Sequence, residues 1–430
     1  MAIQRVKGTF DLFPDSIVTD QWLSSSLWKE LEVMIHSLAA RWGYEEIRTP
    51  MLESTELFEK TSGTSSDVCM KQMYSFLDKG GRSIVLRPEG TPSIIRALGE
   101  EGCFHHGPKF RKRRDIYYLG QMFRHERPQS GRYRQFTQFG VETIGPDQFQ
   151  IDCEVILLGA AFLKELKIPY LILLNSLGTR SEIFEYRKAL LDYLNPLANQ
   201  LSEDSQRRLS TNVLRILDSK DEMDRKIIDA APLITDVLQE ESLKRFEKIQ
   251  GILKELEVPF TIEPKLVRGL DYYNNIIFEY IWTDQESPSA LGGGGRYNQL
   301  IQSMGYTDLP GVGFAFGFER VIQAAIANGF RVADAAFDLL FISLLESSSP
   351  ECFRLSNTLR ENRIRVKTRF GEKNLGNALK ECDQIGVKWI LIYGEQEKKR
   401  NMIQLKNAKE RTTQIICLDD TEKLLSILRQ

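Results

Sequence analysis

Hydrophobic residues near the start of the chain recur with the spacing of an amphipathic helix. Between Asp20 and Trp42 apolar positions fall every three or four residues, and Gly43 follows as a residue suited to the end of a helix. The next residues, 44–51, alternate like a strand but contain Pro50, which cannot donate a hydrogen bond to a neighbouring strand. We therefore predict a long helix followed by an edge or interface strand.

Alternating apolar and polar residues predict further strands in the first three quarters of the chain. These strands cover 83–87, 116–123, 136–144, 261–266 and 276–282. The second and third are expected to pair antiparallel. Helical patterning dominates at 152–166, 177–257 and 319–328. Because the block 177–257 separates strand-rich segments, we predict that it is a helical insertion within a core domain.

The pattern changes beyond Gly329. Apolar strands at 337–345, 364–368 and 389–393 alternate with helical patterns at 351–362 and 374–385. Such alternation predicts a small α/β domain with a largely parallel sheet. We place the domain boundary at 332–336. The expected organisation is a core at 1–332, containing the insertion at 177–257, and a C-terminal domain at 336–430.

Charge is distributed unevenly between these two domains. The 430 residues include 57 basic and 59 acidic side chains, for a net charge of −2. A nucleic-acid partner would therefore have to meet a local basic surface. Residues 331–430 carry 18 basic and 14 acidic side chains, which leaves a net −6 on the remainder. The C-terminal domain is the better candidate for that surface.

The spacing of cysteine and histidine argues against a metal bound by protein nitrogen or sulfur. The six cysteines include no CxxC pair, and the four histidines form no HExxH. The beginning of the chain has no apolar core of signal-peptide type, and no apolar stretch approaches the length of a membrane span. We expect a cytoplasmic protein with no membrane partner and no protein-ligated transition metal.

The segment 118–145 carries the most chemical information. Arg124 and Glu126 are two residues apart, so on a strand they project from one face as a cation and an acceptor. Arg132 and Phe136 on the returning strand add a second cation and an aromatic plane. This face could meet a phosphate, an amino group and a purine ring. The alternative to a binding face is a surface hairpin whose charged side chains form ion pairs with one another.

A second segment, 312–320, alternates small residues with phenylalanine. Gly313, Ala315 and Gly317 leave one strand face as nearly bare backbone, on which a flat ligand can lie, and Arg320 follows. A glycine-softened core strand would show the same pattern.

Two shorter segments place charged residues after strands. LVRGLDYY (266–273) contains Arg268, and LRPEGT (86–91) contains Glu89. An ordinary ion pair or a plain turn is the alternative for each. Neither a GxxxxGK[ST] nor a GxGxxG pattern occurs in these segments. The combination favours a nucleotide bound on a sheet and held by arginines.

Together these segments resemble the class II aminoacyl-tRNA synthetases. Arg124-x-Glu126 followed by Arg132-x-x-x-Phe136 is similar to the second signature of that class, and GVGFAFGFERVI (311–322) to the third. The helix and strand ending near Pro50 resemble the first. LVRGLDYY, RPEGT and GGRY are similar to the histidyl-tRNA synthetase family. The resemblance covers essentially the whole chain.

The resemblance implies a fold and a reaction. The fold is an α+β catalytic domain with an antiparallel sheet of the class II synthetase type, a helical insertion and a C-terminal α/β anticodon-binding domain. The reaction is histidine–tRNA ligation: histidine and ATP form histidyl-adenylate and pyrophosphate, and histidine is then transferred to the 3′ end of its tRNA. ATP with Mg²⁺ is the implied nucleotide, and the first signature implies a homodimer.

The resemblance also assigns roles to individual residues. The catalytic positions are Arg268 and Arg124. The ATP-binding positions are Arg124, Glu126, Phe136 and Arg320. The histidine-binding positions are Glu89, Thr91, Gln138, Glu142, Tyr273 and Tyr297. Arg127 and Gln129 match positions that approach the acceptor end of the tRNA.

Two other functions compete with this interpretation. A non-catalytic regulatory paralogue with a synthetase fold would be expected to lose arginines of the second or third signature, alter RGLDYY or lack the C-terminal domain, and all of these are present. A nucleic-acid-binding protein without catalysis would explain the basic residues at 109–114. It would leave the nucleotide-type residues unexplained.

Overall fold

The computed structural model describes residues 3–15, 17–62, 72–104, 112–126, 131–285, 289–331, 337–345, 350–372, 375–376, 379 and 387–429. The chain divides into two compact units, Met1–Phe330 and Arg331–Gln430. The predicted boundary at 332–336 lies outside the described residues. Among the helices that are described, none is both long enough and apolar enough to cross a membrane.

The strands of the first unit form two sheets. They are β1 (Glu45–Glu46), β2 (Leu52–Ser54), β3 (Tyr74–Leu77), β4 (Ser83–Leu86), β5 (Arg114–Phe123), β6 (Gln135–Ile144), β7 (Tyr170–Ser176), β8 (Phe260–Ile262), β9 (Asn274–Trp282), β10 (Ser289–Arg296) and β11 (Gly311–Gly317). The large sheet has the order β1-β5-β6-β11-β10-β9-β7-β8, and the small sheet the order β2-β4-β3. Pairing from β5 through to β7 is antiparallel, with a parallel strand at either edge. The predicted antiparallel catalytic sheet is confirmed.

Helices of the first unit cover the sheet and fill the region between β7 and β8. They are α1 (Ser25–Arg41), α2 (Thr55–Ser62), α3 (Thr91–Glu100), α4 (Phe149–Glu165), α5 (Arg180–Leu194), α6 (Glu203–Thr211), α7 (Glu222–Asp229), α8 (Glu240–Glu255), α9 (Leu300–Ser303) and α10 (Phe318–Ala327). The core lies where phenylalanines of the sheet meet α4. Phe139 of β6 contacts Phe162 of α4 edge to face, with ring centroids 5.1 Å apart.

The first helix begins and ends at residues that satisfy its terminal backbone groups. The Ser24 hydroxyl accepts from the backbone N–H of Leu27 at 3.2 Å. Gly43, beyond the other end, has φ of +76°, a conformation that glycine adopts without strain. The helix is shorter than predicted because residues Gln21–Leu23 form a separate 3₁₀ turn.

Two predicted strands are wrong in their extent, and a proline lies close to each error. Residues 44–51 do not form one strand, because Glu45–Glu46 pairs with β5 whereas Leu52–Ser54 joins the small sheet. Pro50 lies where the chain passes from one sheet to the other. A continuous strand is disfavoured there because proline lacks the backbone N–H that would bond a neighbouring strand. The strand predicted at 261–266 ends at Ile262, shortly before Pro264.

The segment between β7 and β8 is helical, as its pattern indicates. It contains α5 to α8 and has its own buried cluster, which includes Tyr186, Leu190, Ile216 and Ile234. Buried Asp224 accepts hydrogen bonds from three serine hydroxyls, those of Ser202, Ser205 and Ser219, at 2.6 to 2.7 Å. These bonds fix the turns between short helices that could not be stable alone.

The second unit is an α/β domain, as predicted. Its elements are β12 (Leu339–Ser343), α11 (Pro350–Glu361), β13 (Val366–Arg369), β14 (Trp389–Tyr393), α12 (Glu395–Arg400), β15 (Met402–Asn407), β16 (Thr412–Cys417) and α13 (Thr421–Leu428). The sheet order is β13-β12-β14-β15-β16. The expectation of a largely parallel sheet is wrong, because β15 and β16 are antiparallel. The helix predicted at 374–385 falls mostly outside the described residues.

Glycine at position 159 allows α4 to approach the sheet closely. A Cβ at Gly159 would lie 2.2 Å from the hydroxyl of Tyr280, which donates to the carbonyl of Ile156 at 2.9 Å. Gly159→Ala is therefore expected to lower the free energy of unfolding by about 1–3 kcal/mol through overpacking. Gly251→Ala in α8 is the matched control, because a Cβ there meets no atom within 4 Å.

The control should raise the free energy of unfolding by about 0.5–1 kcal/mol, since alanine is the better helix former. Urea unfolding followed by circular dichroism measures both variants. If Gly159→Ala and Gly251→Ala changed the free energy of unfolding equally, α4 would be able to move away from the sheet without loss of stability.

Candidate active site

The central strands of the large sheet present a face of nearly bare backbone. Gly293 of β10 pairs with Ala315 of β11, and Gly295 pairs with Gly313. A Cβ at Gly313 would lie 2.2 Å from the carboxyl of Glu142. The sequence-predicted bare face on β11 therefore exists, and it continues across β10.

This face forms the floor of a cavity of about 1110 Å³. All the predicted site residues that the structure describes line this cavity: Glu89, Thr91, Arg124, Glu126, Phe136, Gln138, Glu142, Arg268, Tyr273, Tyr297 and Arg320. The remaining two, Arg127 and Gln129, lie outside the described residues. Segments far apart in the chain thus converge on one site.

Glu142 lies on β6 at one end of the floor and is only 2% exposed. The hydroxyl of Thr91 donates to one of its carboxyl oxygens at 2.5 Å, and the hydroxyl of Tyr297 donates to the other at 2.6 Å. Burial raises the pKa of Glu142 to about 8, and the charge of Glu89 adds to the shift while the two hydroxyl donors oppose it. In the free protein this carboxyl group is therefore largely protonated at neutral pH.

Glu89, which precedes α3, provides a second buried carboxyl group at this end. It is 3% exposed and accepts from the hydroxyl of Tyr272 at 2.7 Å. Gln138 also lines the cavity, and its side-chain oxygen is buried without a hydrogen-bond partner in the described residues. Two acceptors thus face a space that could take a positively charged group.

Tyr272 was missed by the sequence analysis, which selected its neighbour Tyr273. Both rings line the cavity, with centroids 4.7 Å apart. Tyr273 was selected through the family resemblance alone, and in an extended chain its neighbour would point to the opposite side. The chain bends here, which a local pattern does not reveal.

Arg268 lies over the middle of the floor and pairs with Glu279 of β9. Glu279 is directly opposite Gly293, where a Cβ would lie 2.9 Å from the guanidinium of Arg268. Burial has the largest single effect and lowers the pKa of Arg268, but the attraction of Glu279, together with the contributions of Tyr273 and Tyr272, holds this pKa above its ordinary value. Arg268 is therefore a fixed cation against bare backbone. Glu279 was also missed, although it is an isolated charge in an apolar strand.

Arg124 and Phe136 form the wall beside this cation. The Nε of Arg124 donates to the carbonyl of Pro88 at 2.9 Å, and its guanidinium carbon lies 5.3 Å from the centre of the Phe136 ring. Glu126, two residues on, lies 3.8 Å from Arg132. The predicted cation, acceptor and aromatic plane line one cavity. Strand alternation is the wrong reason for Arg124 and Glu126, because β5 ends at Phe123 and both residues lie beyond it.

Arg320, at the start of α10, closes the far end of the floor. Its Nε donates to the carbonyl of Gly131 at 2.9 Å and a terminal nitrogen donates to the carbonyl of Ala290 at 2.7 Å. Both partners are neutral, so the charge of Arg320 is oriented without being cancelled. The neighbouring Glu319 accepts from the backbone N–H of Thr137 at 2.7 Å, and burial raises its pKa to about 7.

The helical insertion also reaches the cavity. Its lining residues include the basic side chains of Arg215, Lys220 and Arg225. The charge-rich composition of 177–257 gave no sign of this, because such charges are usually solvated. Within the described part of the chain, no group of three or more histidine, cysteine, aspartate or glutamate side chains is arranged to hold a metal ion.

The chain matches two protein-family models and is similar to curated proteins over nearly its whole length. A family model described as Histidyl-tRNA synthetase matches residues 24–321, and a model of the anticodon binding domain matches residues 338–427. The histidine–tRNA ligase of Protochlamydia amoebophila is 42% identical over 401 residues, covering 93% of each chain. That of Lactobacillus gasseri is 37% identical over 435 residues, covering 100% of this chain and 99% of the relative.

A solved structure agrees with these matches. The crystal structure of apo S. aureus histidyl-tRNA synthetase is similar with a TM-score of 0.79 and 31% identity, over 100% of both chains.

The raised pKa of Glu142 predicts a pH dependence of stability. A carboxyl group whose folded pKa is about 8 contributes stability that is complete below its unfolded pKa of 4.5 and is lost as pH rises through 8. Glu142→Gln keeps a neutral side chain at every pH. The free energy of unfolding of the unmodified protein should therefore fall more between about pH 5 and about pH 8 than that of Glu142→Gln.

Urea unfolding at several pH values measures this difference. Glu319 titrates in both proteins, so its contribution to the pH dependence of the free energy of unfolding is the same in each. If the two curves fell in parallel, Glu142 would already be ionised in the folded protein.

Proposed function

Because the chain belongs to the histidyl-tRNA synthetase family, we propose that the cavity on the glycine floor performs both steps of its reaction with the residues described above. The activity is that of a histidine–tRNA ligase, which uses ATP as a substrate. The observation that carries the residue assignment is the convergence of Arg124, Arg268 and Arg320 on bare backbone, next to the buried carboxyl groups of Glu89 and Glu142.

The first chemical step joins two anions. The carboxylate of histidine attacks the α-phosphate of ATP, so the site must offer fixed positive charge where negative charge accumulates. Arg124 and Arg268 supply it from two separate segments of the chain. The attacking carboxylate is already ionised, so no general base is needed. Pyrophosphate leaves from the α-phosphate as the histidyl-adenylate forms.

ATP fits the wall formed by β5 and β6. The ring of Phe136 would stack on adenine, and Glu126 would accept from its amino group. Arg320 at the far end of β11 would hold the γ-phosphate, and its carbonyl partners leave its charge available. The bare floor lets the nucleotide lie against the sheet.

Histidine fits the other end. Its ammonium group requires acceptors, which are provided by Glu89, Thr91 and the unpartnered oxygen of Gln138. Glu142, with Tyr273 and Tyr297, would bind the imidazole. Hydrogen-bonding groups that stay unpaired with the wrong side chain discriminate more strongly than pocket size does. Two hydroxyl donors hold Glu142 in place for this purpose.

Magnesium is proposed to enter with the nucleotide. Mg²⁺ usually keeps several waters and binds through substrate phosphates with one or two carboxylates. Glu279 lines the cavity beside Arg268, and a single carboxylate of this kind suffices for that mode of binding. The ion would neutralise charge on the leaving phosphates.

The C-terminal unit, an anticodon-binding domain by its family match, is proposed to hold the tRNA through its basic residues. Lys398, Lys399 and Arg400 are exposed at the end of α12, and Arg363 is exposed before β13. Phosphate neutralisation by such side chains contributes much of the affinity for RNA and depends on salt. At the catalytic centre, Arg127 and Gln129 are proposed to approach the acceptor end.

The protein is further proposed to be a homodimer. One face of the small sheet exposes apolar side chains: Leu52 is 51% exposed and Phe76 is 46% exposed. They share that face because their cross-strand partners on β4, Leu86 and Ile84, are two residues apart. A second copy would cover this surface, which adjoins the segment containing Pro50.

Arg268→Ala is expected to lower histidine-dependent ATP–pyrophosphate exchange by about 10²–10³-fold, because the lost cation acts on charge that is greatest in the transition state. Histidine binding, measured by calorimetry, should survive. The double variant Arg268→Ala/Glu279→Gln removes the carboxylate that the single variant leaves unpaired. Recovery of exchange in the double variant would show that Arg268 only neutralises Glu279.

Deletion of residues 331–430 should leave pyrophosphate exchange largely intact, because every described residue assigned to activation lies in the first unit. Transfer to tRNA should require a higher tRNA concentration, and its dependence on salt should become weaker. Aminoacylation kinetics at two salt concentrations test this. An unchanged KM for tRNA would remove the C-terminal unit from tRNA binding.

Light scattering at micromolar concentration should give the mass of a dimer. Phe76→Asp should shift the mass towards that of a monomer, because it places a charge on the proposed interface. Phe184→Asp is the matched control on the insertion, since Phe184 is 67% exposed. A monomeric and fully active unmodified protein would contradict the dimer.

A further inference from the structure

A segment before the first long helix contacts the wall of the ATP side. This N-terminal arm comprises residues 8–22, of which residue 16 is not described. The backbone N–H of Arg134 donates to the carbonyl of Gly8 at 2.8 Å. Arg134 belongs to residues 131–134, the returning segment, which leads into β6 and also contains Arg132. The arm and the cavity wall are therefore joined through the backbone.

An aromatic cluster strengthens this junction. The ring centroid of Phe10 lies 4.9 Å from that of Tyr133, 5.0 Å from that of Trp22 and 5.6 Å from that of Trp28. Trp22 stacks on Tyr133 with centroids 5.4 Å apart. Such aromatic contacts are attractive beyond the burial of area. Phe10 is the residue that contacts all three other rings.

The cluster continues to the third signature. Trp28 of α1 lies 4.5 Å from Phe318, ring to ring, and the hydroxyl of Tyr133 lies near the side chain of Gln323 on α10. The same returning segment receives the hydrogen bond from Arg320 at Gly131. Two of the four residues in the segment are arginines, and Arg132 is 46% exposed. The rings therefore provide the apolar packing that this polar segment lacks.

We propose that the N-terminal arm positions the ATP side of the active site, with Phe10 as the positioning residue that holds Tyr133 and thereby fixes Arg132 and the carbonyl of Gly131. This inference rests on the proposed placement of ATP beside Arg320. The arm should not affect histidine, because the buried carboxyl groups of Glu89 and Glu142 are held by Tyr272, Thr91 and Tyr297, and none of these belongs to the arm.

The test is the Michaelis constant for each substrate in pyrophosphate exchange. Phe10→Ala should raise the KM for ATP about tenfold and leave the KM for histidine within about twofold, a smaller cost than that of fully misplacing a reacting group. Leu12→Ala is the matched control in the same arm, since Leu12 is 39% exposed. It should change neither constant.

Phe10→Leu is a second test, to be used if the alanine variant does not fold. Leucine retains apolar volume, so the same ATP-selective increase should appear at a smaller size. Equal increases for ATP and histidine, or no increase for either substrate, would overturn the positioning role.

Arg320→Ala separates this inference from the proposed function. If Arg320→Ala raises the KM for ATP and the Phe10 variants do not, the arm has no positioning role and the placement of ATP stands. If neither residue affects ATP, the placement of ATP is overturned and the inference fails with it.

Discussion

The absence of side chains on one face of β10 and β11 is the constraint on which the active site depends. A Cβ at Gly311 would lie 2.1 Å from the ring of Tyr297, and one at Gly295 would lie 2.7 Å from the carbonyl of Ile276 on the neighbouring strand. Any larger residue would displace either a binding side chain or the neighbouring strand. Glycine in a strand costs conformational entropy and contributes no packing of its own. Phe314 and Phe316 on the opposite face offset this, because they pack into the core.

The arginines on this floor are oriented before substrate arrives, and they are oriented in two ways. Arg124 and Arg320 donate to backbone carbonyls, which fix the direction of a guanidinium but leave its charge uncompensated. Arg268 instead has a carboxylate partner in Glu279, so an ion pair holds its guanidinium in place. A triphosphate bound as proposed would meet a field that needs little reorganisation, the condition under which electrostatic stabilisation of a transition state is largest.

Sequence patterns predicted those parts of the structure that local spacing determines. The hairpin of β5 and β6 and the bare face of β11 follow from alternation with period two, which depends on neighbouring residues alone. Glu279 was missed because its significance arises from a partner in another segment, and the hairpin of β15 and β16 because its mostly exposed second strand has little apolar pattern. The site residues were found through motif resemblance, since no spacing rule connects Glu142 with Thr91 or Tyr297.

The insertion is part of the active site's architecture and not an independent attachment. Asn212, between α6 and the next turn, donates to Asp271 at 2.5 Å, and Asp271 stands between Arg268 and Tyr272 in the chain. On the other side, Arg245 of α8 shares the fully buried Asp152 with Arg296, the residue before Tyr297. Buried ion pairs of this kind tolerate the loss of a partner poorly. A displacement of the insertion would therefore be transmitted both to the segment that carries Arg268 and to the residue that precedes Tyr297, which holds Glu142.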